Sequence, residues 1–139
     1  MLCAVMDTNV LDSGLRSQFG KSFELLRALR EGRWRAVVSN HLVHEYEEIL
    51  KVHAEELGLS YADIDDLLDV ICAMAEEWQL AVEWRPILHD PDDEPLVQLA
   101  VESRAKRIVT HNTRHLAPAR ALGVDVLRPR EFAAMLQSP

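Results

Sequence analysis

The feature that most constrains this chain is its start. Leu2-Cys3-Ala4-Val5-Met6 is an unbroken apolar run that stops at Asp7. A strand with one wet face alternates apolar and polar side chains. An unbroken run must be covered on both faces, as in parallel sheets with helices above and below. The rest of the chain reads accordingly. Phe23, Leu25, Leu26 and Leu29 have helical spacing, closed by Gly32, and residues 34–38 form a second strand. Ser39 is placed to cap the helix that follows. Ser60 opens another helix with Asp63 as a capping-box carboxylate, and its stripe of Ile64, Leu67, Leu68, Ile71, Ala75 and Trp78 keeps a 3.6-residue period. A short strand is expected over 80–84, then the turn His89-Asp90-Pro91-Asp92-Asp93. Pro95 suits the first turn of a helix reaching about Arg104. Strands over 107–110 and 124–127 follow, and Pro129 opens a last helix through Phe132 and Leu136. This alternation predicts a three-layer α/β/α fold with a central, mostly parallel sheet, as one domain over residues 1–139.

Composition narrows the class. With 15 basic and 23 acidic residues among 139, the formal net charge is −8, which argues against simple nucleic-acid coating. The distribution is uneven, however. Arg16, Lys21, Arg27, Arg30, Arg33 and Arg35 cluster early, and Arg104, Lys106, Arg107, Arg114, Arg120, Arg128 and Arg130 cluster late. Between them residues 52–103 hold one base, Arg85, against fourteen acids. Local field rather than net charge steers a polyanion, so either cluster is a candidate basic strip or a solvated helix face. The apolar runs are too short to span a membrane, and charge enters at Asp7 before a signal core could form. Cys3 and Cys72 sit in apolar contexts and suit buried thiols in a reducing cytoplasm.

Ligands of open parallel sheets bind beyond the carboxyl ends of the strands. Those positions carry Asp7-Thr8-Asn9, the Ser39 helix with Glu45, the acids Asp90, Asp92 and Asp93, and Thr110-His111-Asn112. Carboxylates gathered at one rim repel unless a cation lies between them, and a hard divalent ion with oxygen ligands is the economical answer. On the Glu45 helix, Leu42, Val43, Tyr46, Ile49, Leu50 and Val52 share an apolar arc. Glu45 falls inside that arc, whereas Glu47 and Glu48 flank it. A carboxylate on a core-facing stripe needs a partner or a metal. Blander readings exist: Asp7 as an Asx-turn residue, the Asp-rich run as a turn and helix cap, and Glu45 paired with an arginine.

Other chemistries find little support. The pairs His41/His44 and His111/His115 have no cysteine partners at zinc spacing. No glycine-rich phosphate loop, Gly-x-Ser-x-Gly nucleophile or base-stacking platform is present, and Trp34, Trp78 and Trp84 read as core or strand residues.

The ordered set Val5-Met6-Asp7-Thr8-Asn9-Val10-Leu11, the Glu45 helix, Asp90-Pro91-Asp92-Asp93-Glu94, Ile108-Val109-Thr110-His111-Asn112 and the closing Val126-Leu127-Arg128-Pro129-Arg130-Glu131-Phe132 resembles the PIN domain, in particular its toxin branch in toxin–antitoxin pairs. The resemblance implies a metal-dependent endoribonuclease using Mg²⁺ or Mn²⁺ and leaving 5′-phosphate and 3′-hydroxyl ends. Carried over by position, Asp7, Glu45 and Asp93 match the family's first three acids and would hold metal, with Asp90 or Asp92 as rivals for Asp93. The fourth acid, commonly aspartate, stands here as Asn112. That amide brings no charge and implies weaker binding of a second cation. Thr8, Asn9 and Thr110 would orient the carboxylates or waters. Arg114 and His115 are the first candidates for contacting RNA, and single-stranded or looped RNA suits a crevice best. The resemblance further implies a cytoplasmic protein, a cognate antitoxin and a homodimer. The alternative is a PIN-like scaffold, weakened by Asn112, that binds RNA or a protein.

Overall fold

The computed structural model describes residues 1–81 and 83–137. Five parallel strands form one sheet in the order β3-β2-β1-β4-β5: β1 Cys3–Met6, β2 Arg35–Val38, β3 Glu76–Glu77, β4 Arg107–Val109 and β5 Asp125–Leu127. β1 is central, pairing Ala4 with Ala36 on one side and Met6 with Val109 on the other. Ala4, Val5, Met6, Ile108 and Val109 have no exposed surface, which is the two-sided burial that the opening run demands.

Helices flank the sheet on both faces: α1 Thr8–Arg16, α2 Lys21–Arg30, α3 Asn40–Val52, α4 Ala54–Leu57, α5 Tyr61–Met74, α6 Glu94–Glu102, α7 Thr113–Leu116 and α8 Pro129–Gln137. This is the three-layer α/β/α architecture. α6 packs on β1, β2 and β4, and α3 on α1 and α5. Trp34 lies edge-on to Phe132, with ring centroids 5.2 Å apart, and donates its indole N–H to Leu25 O at 2.9 Å. This contact fastens α8 and α2 to the entry of β2. Gly14 lets α1 approach α2 closely, since a Cβ there would lie 2.6 Å from Leu26 Cδ1.

Four expectations need correction. α5 stops at Met74 although its apolar stripe continues. Ala75 is extended (φ −97°, ψ 158°), because the chain leaves the helix to pair as β3 with Val37 and Val38. Trp78 is thereby placed beyond β3, partly exposed, with its N–H on Val38 O at 2.8 Å. The strand expected over 80–84 is consequently displaced to Glu76–Glu77. Of that stretch, Val82 lies outside the described residues, and Ala81 bonds to side chains of α6 instead of a ladder: its N–H to Glu102 Oε1 and its carbonyl to Gln98 Nε2, both at 2.8 Å. Val52, assigned to the apolar arc of α3, is the helix's last residue and is exposed. Cys3 and Cys72 are free thiols, but half-buried rather than buried. α1, α4 and α7 were not expected from the sequence.

Candidate active site at the sheet's switch point

The strand order reverses direction at β1, between β2 and β4, and an open parallel sheet leaves a crevice at such a point. Asp7 occupies it. Its N–H bonds Val109 O of β4 at 2.9 Å, so the main chain is still laddered where the side chain emerges. Although Asp7 is the N-cap residue of α1, its side chain makes no capping bond. Instead Oδ2 accepts from Thr110 Oγ1 at 2.7 Å and from Asn9 Nδ2 at 3.3 Å. The Asx-turn reading is therefore not the one adopted.

Glu45 is brought to Asp7 by two contacts. Ser39 Oγ caps α3 by accepting from Leu42 N at 3.1 Å. The fully buried Tyr46 hydroxyl donates to Met6 O. Because Tyr46 follows Glu45 and Met6 precedes Asp7, that bond sets the two acids in register. Thr8 Oγ1 then donates to Glu45 Oε2 at 2.5 Å. The partner of the stripe carboxylate is thus a threonine, not an arginine.

The acidic run after residue 88 divides its labour in a way the sequence did not show. Asp90 caps a 3₁₀ turn over Pro91–Asp93, accepting from Asp92 N at 2.9 Å. Glu94 is buried and pins the preceding loop: it accepts from Trp84 Nε1 at 2.8 Å, Ile87 N at 2.7 Å and Leu88 N. Asp92 and Asp93 remain to line a crevice with Asp7, Glu45, Ser39 and His41. Asp93, half-buried, makes no side-chain cap to α6, whereas Asp92 is exposed.

Electrostatics register this convergence. Burial raises the Asp7 carboxyl from 3.8 to about 6; the Thr110 bond opposes the rise, and the charges of Asp93 and Glu45 add to it. Asp93 is also raised, first by burial and then by Asp90 and Glu45, with His115 opposing. The donors are oxygens carrying surplus negative charge, which fits a hard divalent cation. Among the described residues no three His, Cys, Asp or Glu side chains form a ready-made metal cage.

Asn112 is not drawn into the cluster by its side chain. It is exposed at the N-cap of α7 without a capping bond, and its N–H donates to Thr110 Oγ1 at 2.9 Å. Thr110 is thus held by Asn112 while holding Asp7. Arg114 and His115 are exposed on α7. The histidine pairs do not act as pairs: His44 meets Glu48 at 3.1 Å, and His111 precedes the helix that carries His115. Sequence reasoning missed a polar cluster beside the site, in which Ser13, Ser22 and His111 meet from positions up to 98 residues apart. No local pattern signals such a contact.

Fold and site together define an α/β protein with converging carboxylates at the switch point of a parallel sheet. The family model described as PIN domain matches residues 3–114, and the chain belongs to that family. Solved structures are similar in fold, these two among them. A chain of VapBC2 from Rickettsia felis, bound to a DNA fragment from its promoter, is 12% identical; the match covers 91% of this chain and 98% of that one, with a TM-score of 0.63. A PilT N-terminus domain protein from the hyperthermophilic archaeon Sulfolobus solfataricus is 17% identical, with coverage of 99% and 96% and a TM-score of 0.53. No curated protein matches the sequence. Among the described residues no helix is long and apolar enough to cross a membrane.

Proposed function

We propose that this chain is a metal-dependent endoribonuclease and the toxin of a toxin–antitoxin pair. The observation that carries the reading is the shared crevice of Asp7, Glu45 and Asp93, in which burial, with the neighbouring charges adding to it, lifts Asp7 to about 6. These three carboxylates would hold Mg²⁺ or Mn²⁺. When bound, such an ion lowers the pKa of water and offsets charge on a scissile phosphodiester. The remaining work falls to the protein's own groups. Thr110 and Asn9 fix the Asp7 carboxylate, Thr8 fixes that of Glu45, and Tyr46 keeps α3 in register with β1. Arg114 and His115, exposed on α7, would meet the phosphates of a single-stranded segment, while the amide of Asn112, exposed and outside the cluster, brings no charge. The similarity in fold to a chain of VapBC2 supports an antitoxin partner.

Cleavage of a labelled, mostly single-stranded RNA pool tests this, run with Mn²⁺, Mg²⁺ or EDTA beside Asp7→Asn and Asp93→Asn. Metal-dependent cutting lost in both variants is expected. The amide at 112 favours one rival, a scaffold that binds without cutting. No cutting, with Mn²⁺ leaving the melting temperature unchanged, would select that rival.

A further inference from the structure

We propose that the cleft walled by Ser13, Lys21, Ser22, His111, Arg128 and Arg130 binds a backbone phosphate of the RNA strand whose scissile bond lies at the acidic crevice. This rests on the ribonuclease reading. Arg128 and Arg130 lie outside the residues matched to the family, and in the sequence the cleft's cations appear only as members of two separate basic clusters.

The cleft is open and has a volume of about 560 Å³. It forms where α1, the start of α2, the loop after β4 and the start of α8 meet. The fold therefore brings Lys21, from the early basic stretch, to Arg128 and Arg130 of the late one, more than a hundred residues away. No acidic side chain lines it among the described residues. Lys21 does pair with Glu24 at 3.1 Å, but both are half-exposed, and such pairs are weak. Arg128 spends Nη1 on His111 O at 3.3 Å, which leaves the other donors of its guanidinium fork. Arg130 is exposed.

The floor is hydrogen-bonded within itself. Ser13 Oγ lies 2.7 Å from Ser22 Oγ and 2.9 Å from His111 Nε2, and Ser22 Oγ lies 3.1 Å from the same nitrogen. It is not a nucleophile triad, because no carboxylate lines the cleft to orient the imidazole. One residue joins cleft to crevice: Asn9 Oδ1 accepts from His111 N at 3.2 Å, while its Nδ2 donates to Asp7 at 3.3 Å. The crevice repels a polyanion, so attraction has to come from beside it. A cationic wall one residue away supplies it.

The test is fluorescence anisotropy of a 5′-labelled 12-nucleotide single-stranded RNA with the full chain in EDTA, over a KCl series. Lys21→Gln/Arg130→Gln leaves the Arg128 bond to the His111 loop in place. Arg33→Gln/Arg35→Gln removes the same charge at the opposite, amino end of β2. Melting curves confirm that both variants fold. The cleft variant is expected to bind at least tenfold more weakly and to flatten the log–log salt slope by about 0.7 per phosphate lost, while the β2 variant stays within twofold of wild type. With Mn²⁺, the cleft variant should raise KM and keep kcat. Equal weakening in both variants, or no change in the cleft variant, overturns the proposal while metal-dependent cleavage by the wild type keeps the ribonuclease reading. A wild type that neither binds nor cuts RNA overturns both.

Discussion

Asp7→Asn should make the metal-free protein more stable while abolishing the RNA cleavage proposed for it. The carboxyl is raised from 3.8 to about 6, so the folded state holds its proton more tightly than the unfolded chain does. Stability from this group is complete below pH 3.8 and is lost as pH rises through about 6. Above that, the ionised carboxylate costs about 3 kcal/mol, at 1.36 kcal/mol per pKa unit. An asparagine retains a carbonyl for the Thr110 hydroxyl but carries no charge against Glu45 and Asp93. In EDTA at pH 8 the variant should therefore gain about 2–3 kcal/mol in urea unfolding. That is roughly 6–9 °C in Tm for a chain of this size. At pH 5, where part of the wild-type population is protonated, the gap should shrink to about half. Saturating Mg²⁺ should close it by stabilising only the wild type. Equal stabilities at pH 8, or a gap of the same size at pH 5 and pH 8, would refute the reasoning, because neither is compatible with a repelled, ionising carboxylate.

Other perturbations probe the frame around the site. Tyr46→Phe strips the buried Met6 carbonyl of its donor and should cost about 1–2 kcal/mol in urea unfolding, with RNA cleavage impaired because Glu45 loses its register. Glu94→Ala removes the acceptor of three N–H groups and should cost about 2–3 kcal/mol; a red shift in Trp84 emission would report the freed loop. Gly14→Ala gains about 1 kcal/mol of helix propensity but forces a Cβ 2.6 Å from Leu26 Cδ1 and 3.1 Å from Ser22 O. Overpacking of about 1–3 kcal/mol should win, and a raised Tm would contradict it.

The layer architecture was legible because it follows from local patterning. An unbroken apolar run, a Ser39 cap and a Ser60–Asp63 box each depend on residues a few positions apart, and the structure carries both caps. The misplacements share one cause. The stripe of Ile64 to Trp78 is continuous by period, but pairing with Val37 and Val38 ends the helix at Met74 and moves the last strand of that half to Glu76–Glu77. Local period competes there with a distant ladder, and the ladder prevails. In the acidic run, Asp90 and Asp92 stood as rivals to Asp93, and Glu94 was not a candidate. Their separate tasks as cap, crevice wall and loop anchor depend on where Trp84, Ile87 and Leu88 fold back.

By itself the sequence determined that the sheet would be mostly parallel and covered on both faces, that Asp7 would stand at the end of a strand buried on both faces, and that Glu45 would face inward. Each is a consequence of short-range chemistry: apolar runs, helical period and caps. Only the tertiary structure decided what those acids touch. Thr110 reaches Asp7 across 103 residues, Thr8 reaches Glu45 across 37, and the early and late basic stretches face each other over Ser13, Ser22 and His111. Such contacts arise from strand order and helix packing, which place distant residues within hydrogen-bonding distance without leaving a periodic trace in the chain.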